Sequence, residues 1–171
     1  MMAMKWPSCR HLPEDEQFNI NGQHIKMTNY LINGPVTINI ISLFFENMGK
    51  MKDSGGHSIF VGQVRADEIN GKKVKAIEYS AYEGMVKIEA DKIKETILSE
   101  FSDTRSIDIV HSTGIVNAGE ISLLVMVSSG HRHQAIEACR KAVELIKEKL
   151  PVWKKEIFDD NSHEWKQNLK I

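Results

Sequence analysis

"EISLLVMVSSGHRHQAIEACRKAVELIKEKLP", residues 120–151, passes from an almost wholly apolar run through one glycine into a long stretch with helical spacing. Apolar side chains at consecutive positions from Leu123 to Val127 would occupy both faces of a strand, so this segment reads as a strand buried on both sides. Gly130 permits an abrupt turn, and the helix begins within three residues of it. Ile136, Cys139, Val143, Ile146 and Leu150 fall on one stripe, and Pro151 stops the helix.

The same alternation extends outward. "HSIFVGQVRA" (57–66) and "KVKAIEYSAY" (73–82) read as strands joined by the polar "DEINGKK". "EGMVKIEADKIKETILSEF" (83–101) carries Val86, Ala90, Ile93, Ile97 and Phe101 at spacings of three and four, an amphipathic helix. "SIDIVHSTG" (106–114) is a strand, followed by "IVNAGE" as a loop. From 57 to 150 the order is strand, strand, helix, strand, strand, helix. Adjacent strands on short loops favour antiparallel pairing, so the fold class is α+β: an antiparallel or mixed sheet with packed helices. Nearer the start, "EQFNINGQHIKMTNYLING" (16–34) alternates around Asn21-Gly22, a hairpin signal. "PVTINIISLFFENMGKM" (35–51) reads as a short strand passing into a helix with Ile40, Ile41, Leu43, Phe44 and Met48 on its apolar side, closed by "KDSGG". Residues 1–16 lack periodicity and are expected to form a loose arm, 17–166 a single catalytic α+β domain, and 167–171 a short tail.

Composition bounds the function. The 171 residues are 42% hydrophobic and 26% charged, with a net charge of -1, so bulk charge points to no polyanionic partner. The apolar run at 121–127 is too short to span a bilayer. The start has no signal-peptide-like apolar stretch. Cys9 and Cys139 form no CxxC and lie in no metal-like spacing, so a reducing compartment, the cytoplasm, and no metal site are expected. Cys139 belongs to the packing stripe and reads as core.

Candidate chemistry lies in three groups of cations. His131, Arg132 and His133 crowd the first turn of the last helix, where the dipole favours an anion and disfavours cations. Lys147 sits at the edge of the apolar stripe, half sheltered, and Lys154 and Lys155 follow Pro151, with Trp153 placed to anchor them to the core. Arg65 ends a strand on which Phe60, Gly62 and Val64 share one face and Val61, Gln63 and Arg65 the other. Taken singly, each group is equally explained as solvated surface charge. If they converge, with no matching acidic cluster beside them, they form a pocket for a phosphorylated or carboxylate-bearing small molecule. A lysine crowded by other cations there would be a better base or nucleophile. No Ser–His–Asp pattern, P-loop or G-x-G-x-x-G appears.

"FVGQVR", "IEYSAY", "HSTGIV" followed by "GE", "SSGHR" and "LPVWKKE" together resemble the large, catalytic subunit family of molybdopterin synthase, over about 57–165. The resemblance implies an α/β hammerhead-like fold with an additional small antiparallel sheet. It implies a homodimer that binds, at each end, a small ubiquitin-like sulfur-carrier subunit, giving a heterotetramer. The carrier's Gly-Gly C-terminus, as a thiocarboxylate, delivers sulfur to cyclic pyranopterin monophosphate, twice per molybdopterin. No cofactor, metal, nucleic acid or membrane is implied. The substrate-binding positions fall on Gln63, Val64, Arg65, His131, Arg132, Lys147, Lys154, Lys155 and Glu156, with Lys147 and Lys154 catalytic. Gly130 stands where the family has alanine, and Gln63 where it has lysine or threonine. The alternative reading is a non-catalytic α+β module that binds a phosphorylated ligand or RNA. It is weakened by the few strand aromatics expected: Phe60, Tyr79 and Tyr82.

Overall fold

Hydrophobic alternation decides where each strand lies. The computed structural model describes residues 17–20, 23–28 and 30–166; the expected arm, the tail and the Asn21-Gly22 turn lie outside the described residues. Strands β1 (Gln17–Ile20) and β2 (Gln23–Thr28) pair antiparallel, as the hairpin signal predicts. β3 (Leu31–Asn33) follows, and α1 (Ile38–Met48) buries Ile40, Ile41 and Phe44. The short strand therefore precedes the Pro35 segment instead of opening it, and Leu43 is only half-buried.

β4 (Gly56–Gln63), β5 (Glu68–Ile69) and β6 (Lys72–Ala81) come next. Within the expected loop, Asn70 (φ 53°) and Gly71 (φ 77°) both take left-handed backbone, which makes the tight turn that lets β5 pair with β6. α2 (Glu83–Glu100), β7 (Thr104–Asn117), β8 (Ile121–Ser129), α3 (Arg132–Lys149), β9 (Val152–Phe158) and β10 (His163–Lys166) complete the order. β7 absorbs the residues 115–117 expected as loop.

β7 is the spine of the sheet. Its first part, Thr104 to His111, pairs antiparallel with β8, while Leu31–Asn33 of β3 runs parallel beside residues 111–113. At Gly114 (φ 73°) the strand changes neighbours, and residues 114–117 pair with β6. A Cβ at Gly114 would come 2.5 Å from Asn33 Oδ1, so only glycine fits this pivot. Beyond it, β6, β9 and β10 continue the additional antiparallel sheet. The sheet is mixed, and with three helices the α+β expectation holds.

The buried strand of the opening quotation is β8. Leu123, Val125 and Val127 point into one core beneath α2 and α3, and Leu124 and Met126 into a second core beneath α1. α3 approaches the sheet through Ala135, Ala138 and Ala142, each at most 1% exposed. Ile136, assigned to the stripe, is 54% exposed. It shares Val143's direction within about 20°, so the exposure comes from its place in the first turns, not from its phase. Among the described residues no helix is long and apolar enough to cross a membrane.

Candidate functional site

β4 and α3 set out from one point. A Cβ on Gly56 would lie 2.8 Å from both the Cα and the N of Arg132, so the glycines of "KDSGG" let the start of α3 lie directly on the start of β4. The two elements then pack along each other. At their far end Lys147 extends over the Phe60 ring, its Nζ 5.8 Å from the centroid. That is within reach of a cation–π contact. Lys147 is exposed, not half sheltered.

Past Phe60 the register of β4 against β8 shifts between Gly62 and Gln63, a bulge that re-aims the exposed Gln63. Val64, the next residue, turns inward. It is 2% exposed, its N–H donates to the Glu120 carbonyl at 2.9 Å, and its carbonyl accepts from Gly119 N–H at 2.8 Å. Its side chain packs in the core, and its backbone is bonded to the 119–120 turn. Arg65 extends into solvent and pairs with Asp67 at 2.7 Å.

β9 brings the post-proline residues to the same region. Lys154 stands opposite Tyr79 of β6, Lys155 opposite Glu78 and Glu156 opposite Ile77. Tyr79 O–H donates to Ser122 Oγ at 3.1 Å, and Ser122 Oγ–H to the Gly62 carbonyl at 3.4 Å, tying the strand beside Lys154 to the end of β4. Burial raises the Tyr79 phenol, opposed by the Ser122 hydrogen bond and aided by the Glu156 charge. Lys155 forms an ion pair with Glu78 and lies 5.5 Å from the Trp165 ring centroid. The Glu156 side chain is 14% exposed, with Oε2 3.6 Å from Lys166 Nζ, an ion pair too long for a hydrogen bond. Trp153 is 50% exposed and anchors nothing to the core; it and Trp165 add two exposed strand aromatics to the expected few.

His131 and Arg132 occupy the opposite end of α3. Between Arg132 and Lys147 the helix rises about 22 Å, so the three cation groups of one chain make two sites and not one. Lys147 lies near the end of α3 from which Lys154, Lys155 and Glu156 of β9 follow, and Gln63 ends β4 with Arg65 two residues beyond; His131 and Arg132, both exposed, stand at the start of α3. The cations also have acidic neighbours that the local sequence hid: Asp67 for Arg65, Glu78 for Lys155, and Asp103 for His131. Asp103 Oδ2 accepts the His131 backbone N–H at 2.8 Å and lies 3.0 Å from its Nδ1. These bonds hold the Asp103 carboxyl below its usual range. Phe60 and Tyr79 enter the sequence reading only as strand aromatics, and Asp103 does not enter it, being 28 residues from its partner.

Cys139 is buried, and burial raises its thiol, as a core cysteine should behave. A groove of about 510 Å³ between α2 and α3, reaching Ile93, Leu145 and Lys149, shares no residue with either cation group.

Comparisons with known proteins bear on this arrangement. The family model for the MoaE protein matches residues 37–149. The molybdopterin synthase catalytic subunit of Dictyostelium discoideum is 42% identical over 138 residues, 79% of this chain and 87% of that protein. That of Drosophila melanogaster is 38% identical over 146 residues, 85% of this chain; the match spans only 37% of the longer insect protein. Among solved structures, molybdopterin synthase from Staphylococcus aureus superposes with a TM-score of 0.72 at 30% identity, covering 82% of this chain and 98% of that one. A chain of the complex of subunits 1 and 2 of molybdopterin-converting factor from Helicobacter pylori gives a TM-score of 0.67 at 23% identity over 80% of this chain and 88% of that one, a likeness of fold.

Proposed function

The chain belongs to the MoaE family of molybdopterin synthase catalytic subunits, and on that premise we propose that it transfers sulfur from a carrier's C-terminal thiocarboxylate to cyclic pyranopterin monophosphate. The carrier is a small ubiquitin-like subunit ending in Gly-Gly. The observation that carries this reading is the approach of two lysines to the far end of β4: Lys147 lies over the Phe60 ring, and Lys154 stands opposite Tyr79, which is linked through Ser122 to the Gly62 carbonyl.

Both substrates are anionic, so a site of cations and hydrogen-bond donors suits them. Lys147 and Lys154 hold the thiocarboxylate. The thiocarboxylate sulfur bonds to a side-chain carbon of the pterin and displaces an oxygen substituent, which leaves with a proton from a lysine, so the carrier remains attached through a thioester. Water adds to that carbonyl, the lysines stabilise the oxyanion, and collapse releases the carrier carboxylate and leaves a thiolate on the pterin. A second carrier repeats the sequence. Gln63, Arg65, Lys155 and Glu156 border the substrate. His131 and Arg132 bind phosphate from a second copy of the chain, because the helix keeps them away from the lysines of their own copy. The assembly is a homodimer with one carrier at each end. Every step is served by side chains of the polypeptide.

Lys147→Ala removes an exposed side chain and leaves the fold intact. Supplied with thiocarboxylated carrier and the cyclic pterin, it is expected to lose at least a hundredfold in product formation. Near-normal turnover by that variant sinks the lysine assignment.

The exposed Trp153 and Trp165 beside Lys155 favour a second reading, a stacking surface for single-stranded RNA. Salt-dependent RNA binding that Trp165→Ala abolishes would support it; the net charge of -1 counts against it.

A further inference from the structure

We infer that Asp103 is a positioning residue that fixes the ring of His131, so that Nε2 is the atom offered to an anionic ligand. The inference rests on the reading of His131 as a phosphate contact and adds a residue to it.

The geometry divides the two carboxylate oxygens of Asp103 between separate tasks. Oδ2 takes the His131 backbone N–H at 2.8 Å and faces Nδ1 at 3.0 Å. Oδ1 lies 3.2 Å from Arg105 Nη2. Arg105 in turn donates from Nη1 to the Asp103 backbone carbonyl at 2.9 Å, and its Nε lies 3.1 Å from Asp53 Oδ2. Asp103 is therefore held at its own backbone and at its carboxylate, with its side chain 23% exposed against 86% for His131.

Close approach is built into the chain. A Cβ at Gly130 would come within 2.5 Å of Asp103 Oδ1, so the glycine leaves the space that the carboxylate fills. The Gly130 N–H also donates to the Asp103 carbonyl at 3.1 Å. The helix itself supplies no side-chain cap at His131, so the distant aspartate does the capping.

The chemical consequence concerns the tautomer. A ring nitrogen facing a carboxylate must carry the hydrogen, so Nδ1 is N–H. Nε2 is left pointing outward, and when the ring is protonated its N–H is the donor that meets a phosphate oxygen. Without Asp103 the ring would rotate freely and choose the Nε2–H form that imidazole side chains prefer in water.

The test uses the ¹⁵N-labelled full chain near pH 8, about where a histidine ring is neutral. Long-range ¹H–¹⁵N correlation reads the tautomer of His131, assigned by its loss in His131→Gln. The expected result is Nδ1–H in the wild type and in Asp103→Asn, whose amide oxygen still caps the helix and still faces Nδ1, and Nε2–H in Asp103→Ala. In sulfur transfer, Asp103→Ala should lower kcat/KM about tenfold and cost nothing further in the His131→Gln background. Nε2–H in the wild type overturns the inference, as does an undiminished Asp103→Ala loss in the His131→Gln background. Wild-type activity of His131→Gln instead overturns the phosphate-contact reading, and with it the functional half of the inference, while the tautomer still reports the geometry.

Discussion

Gly56 and Gly84 show how differently two glycines of one chain are used. The Cβ of Gly56→Ala would meet the Arg132 backbone at 2.8 Å, and backbone cannot swing aside. The substitution should cost roughly 1–3 kcal/mol, read as a lowered urea midpoint with an unchanged m-value. Gly84 lies in the first turn of α2, where a methyl finds nothing nearer than 3.8 Å. Gly84→Ala should raise stability by about 0.5–1 kcal/mol. Equal effects of the two changes would contradict the close packing of α3 on β4. Sequence could not separate these glycines, because what distinguishes them is the partner across the fold. The same reason applies to Val64: alternation puts it on a face with Phe60 and Gly62, but the register shifts between Gly62 and Gln63, and only the tertiary structure shows Val64 buried.

At the scale of elements, β7 carries two half-buried titratable groups with opposed effects. Burial pushes the Asp108 carboxyl up to about 6, partly offset by Lys94. Burial pushes His111 down to about 4, and its Nδ1 bonds the Ser112 carbonyl at 2.9 Å. From about pH 4 to 6 folded Asp108 keeps a proton the unfolded chain has released, so its contribution falls as pH rises. From about pH 6.5 down to 4 unfolded His111 takes a proton that the folded ring refuses, so its contribution falls as pH drops. The two slopes oppose each other over most of this range. Asp108→Asn should uncover the histidine slope, with stability falling on acidification by up to about 1.4 kcal/mol per pH unit relative to wild type. Urea titrations across the range check this, and parallel profiles for the two proteins would refute it. The elements themselves were largely legible: α2, α3, β4, β6 and β8 follow from periods of 3.6 and 2. The length of β7 was not, because Gly114 looks like a terminator and serves as a pivot where the strand exchanges partners.

For the whole molecule, the two ends of α3 set a condition on assembly. If one pocket takes Lys147 from one copy and Arg132 from another, Lys147→Ala and Arg132→Ala are each inactive alone. Mixed after dissociation and reassembly, they should recover about a quarter of wild-type activity, because half the dimers are mixed and each then holds one intact pocket. No recovery from verified mixed dimers would place all the working residues in one copy. From sequence these cations read as one cluster, since the about 22 Å rise of the intervening helix appears only when both ends are placed on it. Asp67, Glu78 and Asp103 escaped notice for a related reason: only Asp67 is near in sequence to the cation it meets.

β8, with one core on each side and β4 and β7 along its edges, also sets a clock. Its amide hydrogens can reach deuterium only when both cores come apart together, so residues 123–127 should be the last to exchange, at the free energy of global unfolding. Exchange of these amides well ahead of the α2 amides would mean that the two cores open independently.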